Sequence, residues 1–369
     1  MLMTKKNSKK NICRNQCYGY KLGLLLLALW LGIRFSLLEE SITSRKIITD
    51  FISQSETMSK TLQVRSIIKN FVATQQEEGV GATVRRSIGT MQMRRFSPFL
   101  MLDHFTVSPP AGFPDHPHHG QETITYMLGG MLAHEDFSNS KGILSPGDLQ
   151  FMTAGKAIIH SEIPVKMDSG QPAVGLQLWV DLPEKLKNCE PRYRDLKAKD
   201  IPVIKPSEHL KVTVISGTSY GVQSARDLAY TPVHYYHFAT SKKGTEFVQE
   251  FPRVFNAFMY ILKGSIGIGE KLFPQFSTVF FDTDGDAVEG FSASDNAEFV
   301  LIGGEILHQD VVQHGPFVET NRERLIEVFH NYQNSINGFD RGRNWRSTIA
   351  GGITESEAKK DFRNSKGIK

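Results

Sequence analysis

Four side chains in two short stretches carry donor atoms at a spacing that suits one metal ion. DHPHHGQETITY (Asp115–Tyr126) places His116, His118 and His119 within four positions, and PGDLQFMTAGKAIIHSEIP downstream holds His160 and Glu162. In an extended strand alternate side chains share a face. His116 and His118 therefore point one way. Pro117 points outward, tolerable near a strand start or edge, and His119 faces away from its neighbour. His160 and Glu162 repeat the spacing with Ser161 turned away, and Pro146-Gly147-Asp148 makes the turn that starts this arm. Two strands, each with two inward ligands, give a set of three histidines and one carboxylate. Imidazole with carboxylate at an open site suits Fe(II), and also Mn, Ni, Cu or Zn, because affinity order alone selects none of them. Four protein ligands leave about two places in an octahedral shell for substrate and dioxygen.

Other candidates read more plainly. Glu122 shares the parity of His118 if its strand is regular. It is expected beside the site, orienting a ligating imidazole or serving as an alternative ligand. His134-Glu135-Asp136 reads as an exposed polar hairpin. His234 and His237 have opposite strand parity, so shared ligation is not expected. Phe113, Met127, Phe151 and Trp179 are core or pocket wall.

The elements that must position these residues are short strands. From Thr61 onward, runs such as ETITYML, VGLQLWVDL, LKVTVISG, FNAFMYIL and AEFVLIGG recur between Gly, Pro, Asn and Asp. That spacing predicts an all-β antiparallel sandwich or barrel. An internal repeat is expected: ETITYMLGG (Glu122 to Gly130) resembles NAFMYILKG (Asn256 to Gly264), so the chain reads as two similar β-domains in tandem. Under that offset His116 maps to Glu250, His118 to Pro252 and His160 to Ser294, so the second copy keeps the scaffold and lacks the histidines. The divisions expected are a leader 1–60, a metal-binding domain 61–185, a connecting region 186–207, a second domain without metal 208–345 and a polar tail 346–369. ETNRERLIEVFHNYQNSING is the best helix, with early acids and a glycine after its last turn. It reads as a docking element.

Composition bounds the partners. The chain has 369 residues, ample for two packed cores. Its net charge of +4 is uneven: seven basic residues and no acid fall in the first 34 positions, so the rest is slightly acidic. That body offers no electrostatic footprint for direct nucleic-acid binding. Of three cysteines only Cys189 lies outside the leader, which points to a reducing compartment. The leader run LGLLLLALWLGI (Leu22 to Ile33) is short for a membrane span, and no clean cleavage site follows it. Membrane contact is expected only if this leader is an anchor. Localisation is expected to be nucleus or cytoplasm with a start near Met58, or else an organelle or membrane reached through residues 1–38.

HPHHGQETITYMLG matches the first cupin motif, His-x-His followed by Glu and later Gly. The longer strings PPAGFPDHPH, AHEDF, PGDLQFMTAGKAIIHSEIP and EEGVGATVRRSIG resemble the pirin family, plant pirin-like members included, over about Leu62 to Trp345. The resemblance implies two tandem cupin barrels (double-stranded β-helix, jelly-roll) with a short C-terminal helix. It implies one iron ion, Fe(II) or Fe(III), in the N-terminal barrel on His116, His118, His160 and Glu162, with Glu122 at the general cupin acid position. The implied activity is an oxidoreductase that opens a flavonol such as quercetin with dioxygen, a 2,3-dioxygenase with Glu162 as the proton acceptor. The alternative is a non-catalytic, iron-dependent nuclear regulator, a transcription cofactor or signalling partner that contacts proteins. A metal-stabilised bicupin without turnover is the plainest reading. The sequence departs from the family at His119-Gly120-Gln121, where Arg-Gly-Phe is usual, and at Ala157, where glycine is usual. Both positions flank the metal, so substrate fit and the surface at that rim are what they put in question.

Overall fold

Residue alternation along the strand Gln121–Gly129 shows how the architecture arises. Ile124 and Tyr126 enter a core shared by two halves of the molecule, whereas Met127 enters the interior of the first barrel. The computed structural model describes residues 62–78, 81–225 and 229–361. The basic leader, with its apolar run and any targeting role, lies outside the described residues.

The first barrel has a seven-stranded antiparallel sheet. Its order is Arg192–Leu196, Leu149–Thr153, Gln121–Gly129, Ala173–Asp181, Phe99–Val107, Ala82–Ile88 and Gln75–Glu78. A smaller sheet carries the metal-ligand candidates. In it Ile158–Lys166 pairs on one side with Leu132–Asp136 and on the other with Phe113–His118. The second barrel repeats the plan. Its large sheet runs Ile67–Val72, Ser277–Phe281, Phe255–Lys263, Glu298–Glu305, Val233–Thr240, Leu210–Ser216 and Val203–Ser207. Its small sheet holds Glu246–Glu250, Ala287–Ser292, Ser265–Ile268 and Lys271–Pro274. These are tandem cupin barrels, as the repeat and the motif predict.

The large sheets contribute to one core in which Ile124, Phe151, Leu176 and Leu178 join Tyr235, Phe258, Val300 and Ile302. Phe99 meets Phe258 edge to face at 5.1 Å. Each fully buried side chain of this kind contributes roughly 1.5–3 kcal/mol. Two polar ties cross the same interface in reciprocal fashion. The Tyr126 hydroxyl lies 2.9 Å from His237 Nδ1, and the Tyr260 hydroxyl lies 3.1 Å from His104 Nδ1.

Strands cross the expected divisions. The first described strand, Ile67–Val72, pairs with Ser277–Phe281 in the second barrel. The connecting region supplies the edge strand Arg192–Leu196 to the first barrel and Val203–Ser207 to the second. Its Lys187 is fully buried, with Nζ 2.7 Å from Asp181 Oδ1. The segment expected as a polar tail places Ile353–Thr354 in parallel with Val165–Lys166 and follows it with the helix Glu355–Asp361. The long helix is Arg322–Asn334. Asn321 caps it by accepting the Arg324 amide, and it ends at Ser335 in the left-handed region with φ 53°. Leu325 and Val328 pack it against Ile158, Phe317 and Phe339 on the metal-bearing side.

The offset of the repeat holds for its first strand, since Gln121–Gly129 corresponds to Phe255–Lys263 residue for residue. It slips on both sides of that strand, because in the second copy the connection before it is longer (251–254 against 119–120) and the one after it is shorter (264 against 130–131). On the inward face the counterpart of the His116–His160 pair is therefore Phe247 opposite Gly290, and Gln249 stands for His118. The expected equivalents Glu250, Pro252 and Ser294 are corrected by this register. Phe247 packs into the second core beside Phe238 and Phe299. A Cβ on Gly290 would sit 2.8 Å from the Phe247 ring, so an aromatic side chain fills the space that imidazoles line in the first barrel.

Candidate metal centre

Strand parity brings three histidines together as expected. His116 and His118 lie on Phe113–His118, His160 lies on Ile158–Lys166, and His116 pairs directly with His160 across the ladder. One nitrogen from each of the three falls within 4.8 Å of the others. His116 Nε2 and His160 Nε2 are 2.9 Å apart. Two nitrogens bound side by side to one ion at roughly 2.1 Å sit about 3 Å apart, so this spacing is already that of neighbouring ligands.

The protonation pattern fits the same purpose. His116 Nδ1–H donates to the Pro114 carbonyl at 2.8 Å, which leaves Nε2 bare toward the cluster. His160 Nδ1 is buried without a hydrogen-bond partner. Burial lowers the pKa of His116, and it drives His118 and His160 well below the ordinary imidazole range, with neighbouring histidines adding to the effect in those two. Neutral imidazole is the ligating form. Lone pairs this close repel unless a proton or a cation lies between them. The donor set of three neutral nitrogens therefore fits a transition-metal ion. Among the described residues this is the one close group of three or more His, Cys, Asp or Glu donors.

Glu162 stands next along the same strand face, outside that close group. The pairing with Phe113–His118 slips between His160 and Glu162, which lie opposite His116 and Phe113. Such a bulge re-aims side chains. The Glu162 carboxylate accepts from Gln177 Nε2 at 3.4 and 3.3 Å and lies 3.5 Å from Thr125 Oγ1. Burial raises its pKa to about 7, with Gln177 and Thr125 opposing. It is a buried carboxylate on the strand that carries His160, and the close group of three imidazoles does not include it.

Glu122 does not join the site. The chain turns at Gly120, whose φ is +72°, and the turn resets the parity counted from His118. The Glu122 carboxylate instead accepts from Thr153 Oγ1 at 2.6 Å and from the backbone amides of Tyr230 and Thr231 at 3.0–3.2 Å. It ties the first barrel to the segment that leads into Val233–Thr240 of the second. His119 faces away from the cluster, as its parity predicts. Its ring lies between the Lys156 carbonyl at 2.7 Å and Glu319 Oε1 at 2.9 Å.

His134-Glu135-Asp136 is a buried strand, not an exposed hairpin. His134 stacks on Tyr193 and lies 2.8 Å from Gln150 Nε2, while Glu135 accepts from Thr348 and Ile349 of the C-terminal segment. The signal missed was tertiary: a polar strand survives burial because other polar groups from Leu149–Thr153, Arg192–Leu196 and the tail meet it. Trp179 stands edge-on to His118 at 5.1 Å. Gln177 was not singled out by sequence, and Gln121 was noted only as part of the departure at His119-Gly120-Gln121. A glutamine in an apolar strand was the available signal for Gln177.

The chain is similar to known proteins over most of the described residues. Residues 81–180 match the family model described as Pirin, and residues 235–338 match the Pirin C-terminal cupin domain. The chain is 42% identical over 286 residues to a "Pirin-like protein" of Solanum lycopersicum, covering 77% of this chain and 96% of that one. It is 41% identical over 292 residues to "Pirin" of Homo sapiens, covering 77% and 98%. Among solved structures, a quercetin 2,3-dioxygenase from Acinetobacter baumannii superposes with a TM-score of 0.64 at 26% identity, covering 74% of this chain and 90% of that one.

Proposed function

The chain belongs to the pirin family, and on that premise we propose that it is an iron-dependent flavonol 2,3-dioxygenase. The observation that carries the reading is the convergence of three neutral imidazoles, those of His118 and His160 buried, on a strand pair that also carries the buried carboxylate of Glu162. His116, His118 and His160 would hold the ion, with Glu162 as fourth ligand. Bound there, iron would supply a Lewis acid for the flavonol hydroxyl and a one-electron route to dioxygen.

The protein's part is binding, orientation and proton transfer. His116 is the partly exposed member of the cluster and marks the side from which substrate enters. The Trp179 ring stands where a flat aromatic molecule would pack beside His118. Glu162 accepts the hydroxyl proton at a carboxylate oxygen, and Gln177 and Thr125 hold the group in place as it does so. The name of the Acinetobacter structure supports the choice of substrate class.

Oxygen uptake by Fe(II)-reconstituted protein with a panel of flavonols tests the activity. Uptake is expected with at least one flavonol, and Glu162→Gln should lower kcat by about 10²-fold or more while iron stays bound. Bound iron with no uptake on any flavonol removes the proposal. A second reading, a non-catalytic regulator whose protein contacts depend on the iron state, is favoured by one feature. The hairpin formed by Val312–His314 and Phe317–Glu319 is exposed at His314 and Gly315, yet its far strand is bound to the turn after His118. Partner capture that differs between ferrous and ferric protein supports it, and identical capture in both states and with His118→Ala refutes it.

A further inference from the structure

In the turn His119-Gly120-Gln121 the structure gives Gln121 a specific task. Its side chain is fully buried. Gln121 Nε2 lies 2.8 Å from His118 Nδ1 and 3.1 Å from the Pro316 carbonyl oxygen, while Gln121 Oε1 is buried with no hydrogen-bond partner. In this arrangement the amide donates to both neighbours. Donation to Nδ1 leaves the ring proton of His118 on Nε2, the nitrogen left for the cluster. Ligation through Nε2 requires the opposite tautomer, with Nδ1–H donating to an acceptor.

The two ends of an amide have nearly the same shape, so turning it over exchanges donor and acceptor without moving heavy atoms. Turned, Oε1 accepts from His118 Nδ1–H, and the former orphan oxygen gains a partner. The same turn costs Pro316 its donor and sets two carbonyl oxygens against each other at that contact. Pro316 belongs to the hairpin already fastened to this turn. The His119 amide donates to the Pro316 carbonyl at 3.2 Å, the Val318 amide donates to the His119 carbonyl at 3.1 Å, and Lys187 Nζ bridges the Gly120 and Val318 carbonyls at 3.0 and 3.3 Å.

We infer that Gln121 is a positioning residue that selects the ligating tautomer of His118, and that its amide couples occupation of the metal centre to the hairpin over Val312–Glu319. The inference rests on the proposed role of His118 as a ligand. It deepens that role by naming the group that prepares the ligand and the surface that senses it.

Co(II) affinity by chelator competition, with hydrogen exchange followed over residues 312–319, tests both halves in the full-length protein. Gln121→Leu removes the acceptor and is expected to weaken Co(II) binding by about 10- to 100-fold. Gln121→Glu presents an oxygen acceptor at the same place, and its affinity should stay within about threefold of the wild type. A merely structural role would not separate these two variants. Exchange over 312–319 should change on Co(II) addition in the wild type and change much less in Gln121→Glu, where the oxygen faces His118 from the start. Wild-type affinity in Gln121→Leu, or equal loss in both variants, overturns the positioning role. Exchange that is indifferent to Co(II) overturns the coupling. If His118→Ala binds Co(II) like the wild type, the ligand assignment beneath the inference fails, a result distinct from either of these.

Discussion

Each of the three imidazoles is worth more to the site than its share of contacts. Alanine at His116, His118 or His160 removes a nitrogen from a group closed to within 4.8 Å and leaves two imidazoles, too few for a tight site even with the Glu162 carboxylate beside them. Metal content after purification should fall from about one ion to near none in each variant. Wild-type protein should gain about 4 kcal/mol of stability at a free metal concentration 1,000 times Kd, a gain that the alanine variants lose in paired urea unfolding with and without metal. An equal gain in all proteins would show that the ion binds elsewhere. The histidines were legible because strand parity is a local property, and each pair lies within three residues of chain. Glu122 was not legible by the same rule. Its misplacement follows from the turn at Gly120, which breaks the count between His118 and Gln121, and from partners at Tyr230 and Thr231 that lie 108 and 109 positions away.

At the scale of elements, the turn at Gly120 is the joint on which the site depends. Its φ of +72° is costly for a residue with a Cβ, and a Cβ there would lie 2.0 Å from the Val318 carbonyl oxygen. Because the obstacle is backbone, the hairpin Val312–Glu319 or the ligand strand must shift to relieve it. Gly120→Ala is therefore expected to cost about 3 kcal/mol and to weaken metal binding, read by urea unfolding and metal titration. A variant as stable as the wild type, with unchanged metal affinity, would show the turn to be compliant. Gly315→Ala is the control, since the same kind of φ there meets open space and should cost only about 1 kcal/mol. Sequence made the main strands and the long helix visible through alternation and capping. It hid the edge strands of the connecting region, because in Arg192–Leu196 only Leu196 is buried and the strand so carries little of the hydrophobic alternation that marks one. It hid the slip of the repeat as well, because loop length is not encoded in strand pattern.

Across the whole molecule, the reciprocal pairs Tyr126–His237 and Tyr260–His104 give the two barrels a polar seam beside their shared apolar core. Both tyrosines occupy the same position of the repeat, so the seam follows from the pseudo-symmetry by which the barrels were recognised in sequence. Its histidine partners could not be paired from sequence because each lies in the other barrel. One of these ties should respond to pH. Burial lowers His104 from 6.5 to about 4, with Arg85 adding to the effect. Between those values the unfolded chain binds a proton that the folded protein refuses. The stability tied to this group is thus complete above pH 6.5, declines as pH falls and levels off below about 4. After allowing for partial exposure the loss is about 2 kcal/mol. Buried carboxylates such as Asp103 and Asp181, whose pKa values burial raises, act in the opposite direction, so the absolute pH profile does not isolate the histidine. The difference between wild type and His104→Gln does, since those carboxylates are common to both and glutamine still offers the Tyr260 hydroxyl a partner. Urea unfolding at pH 7 and pH 4.5 should show the wild type losing about 2 kcal/mol more than the variant. A stability difference that is the same at both pH values would mean that His104 takes up its proton without disturbing the seam.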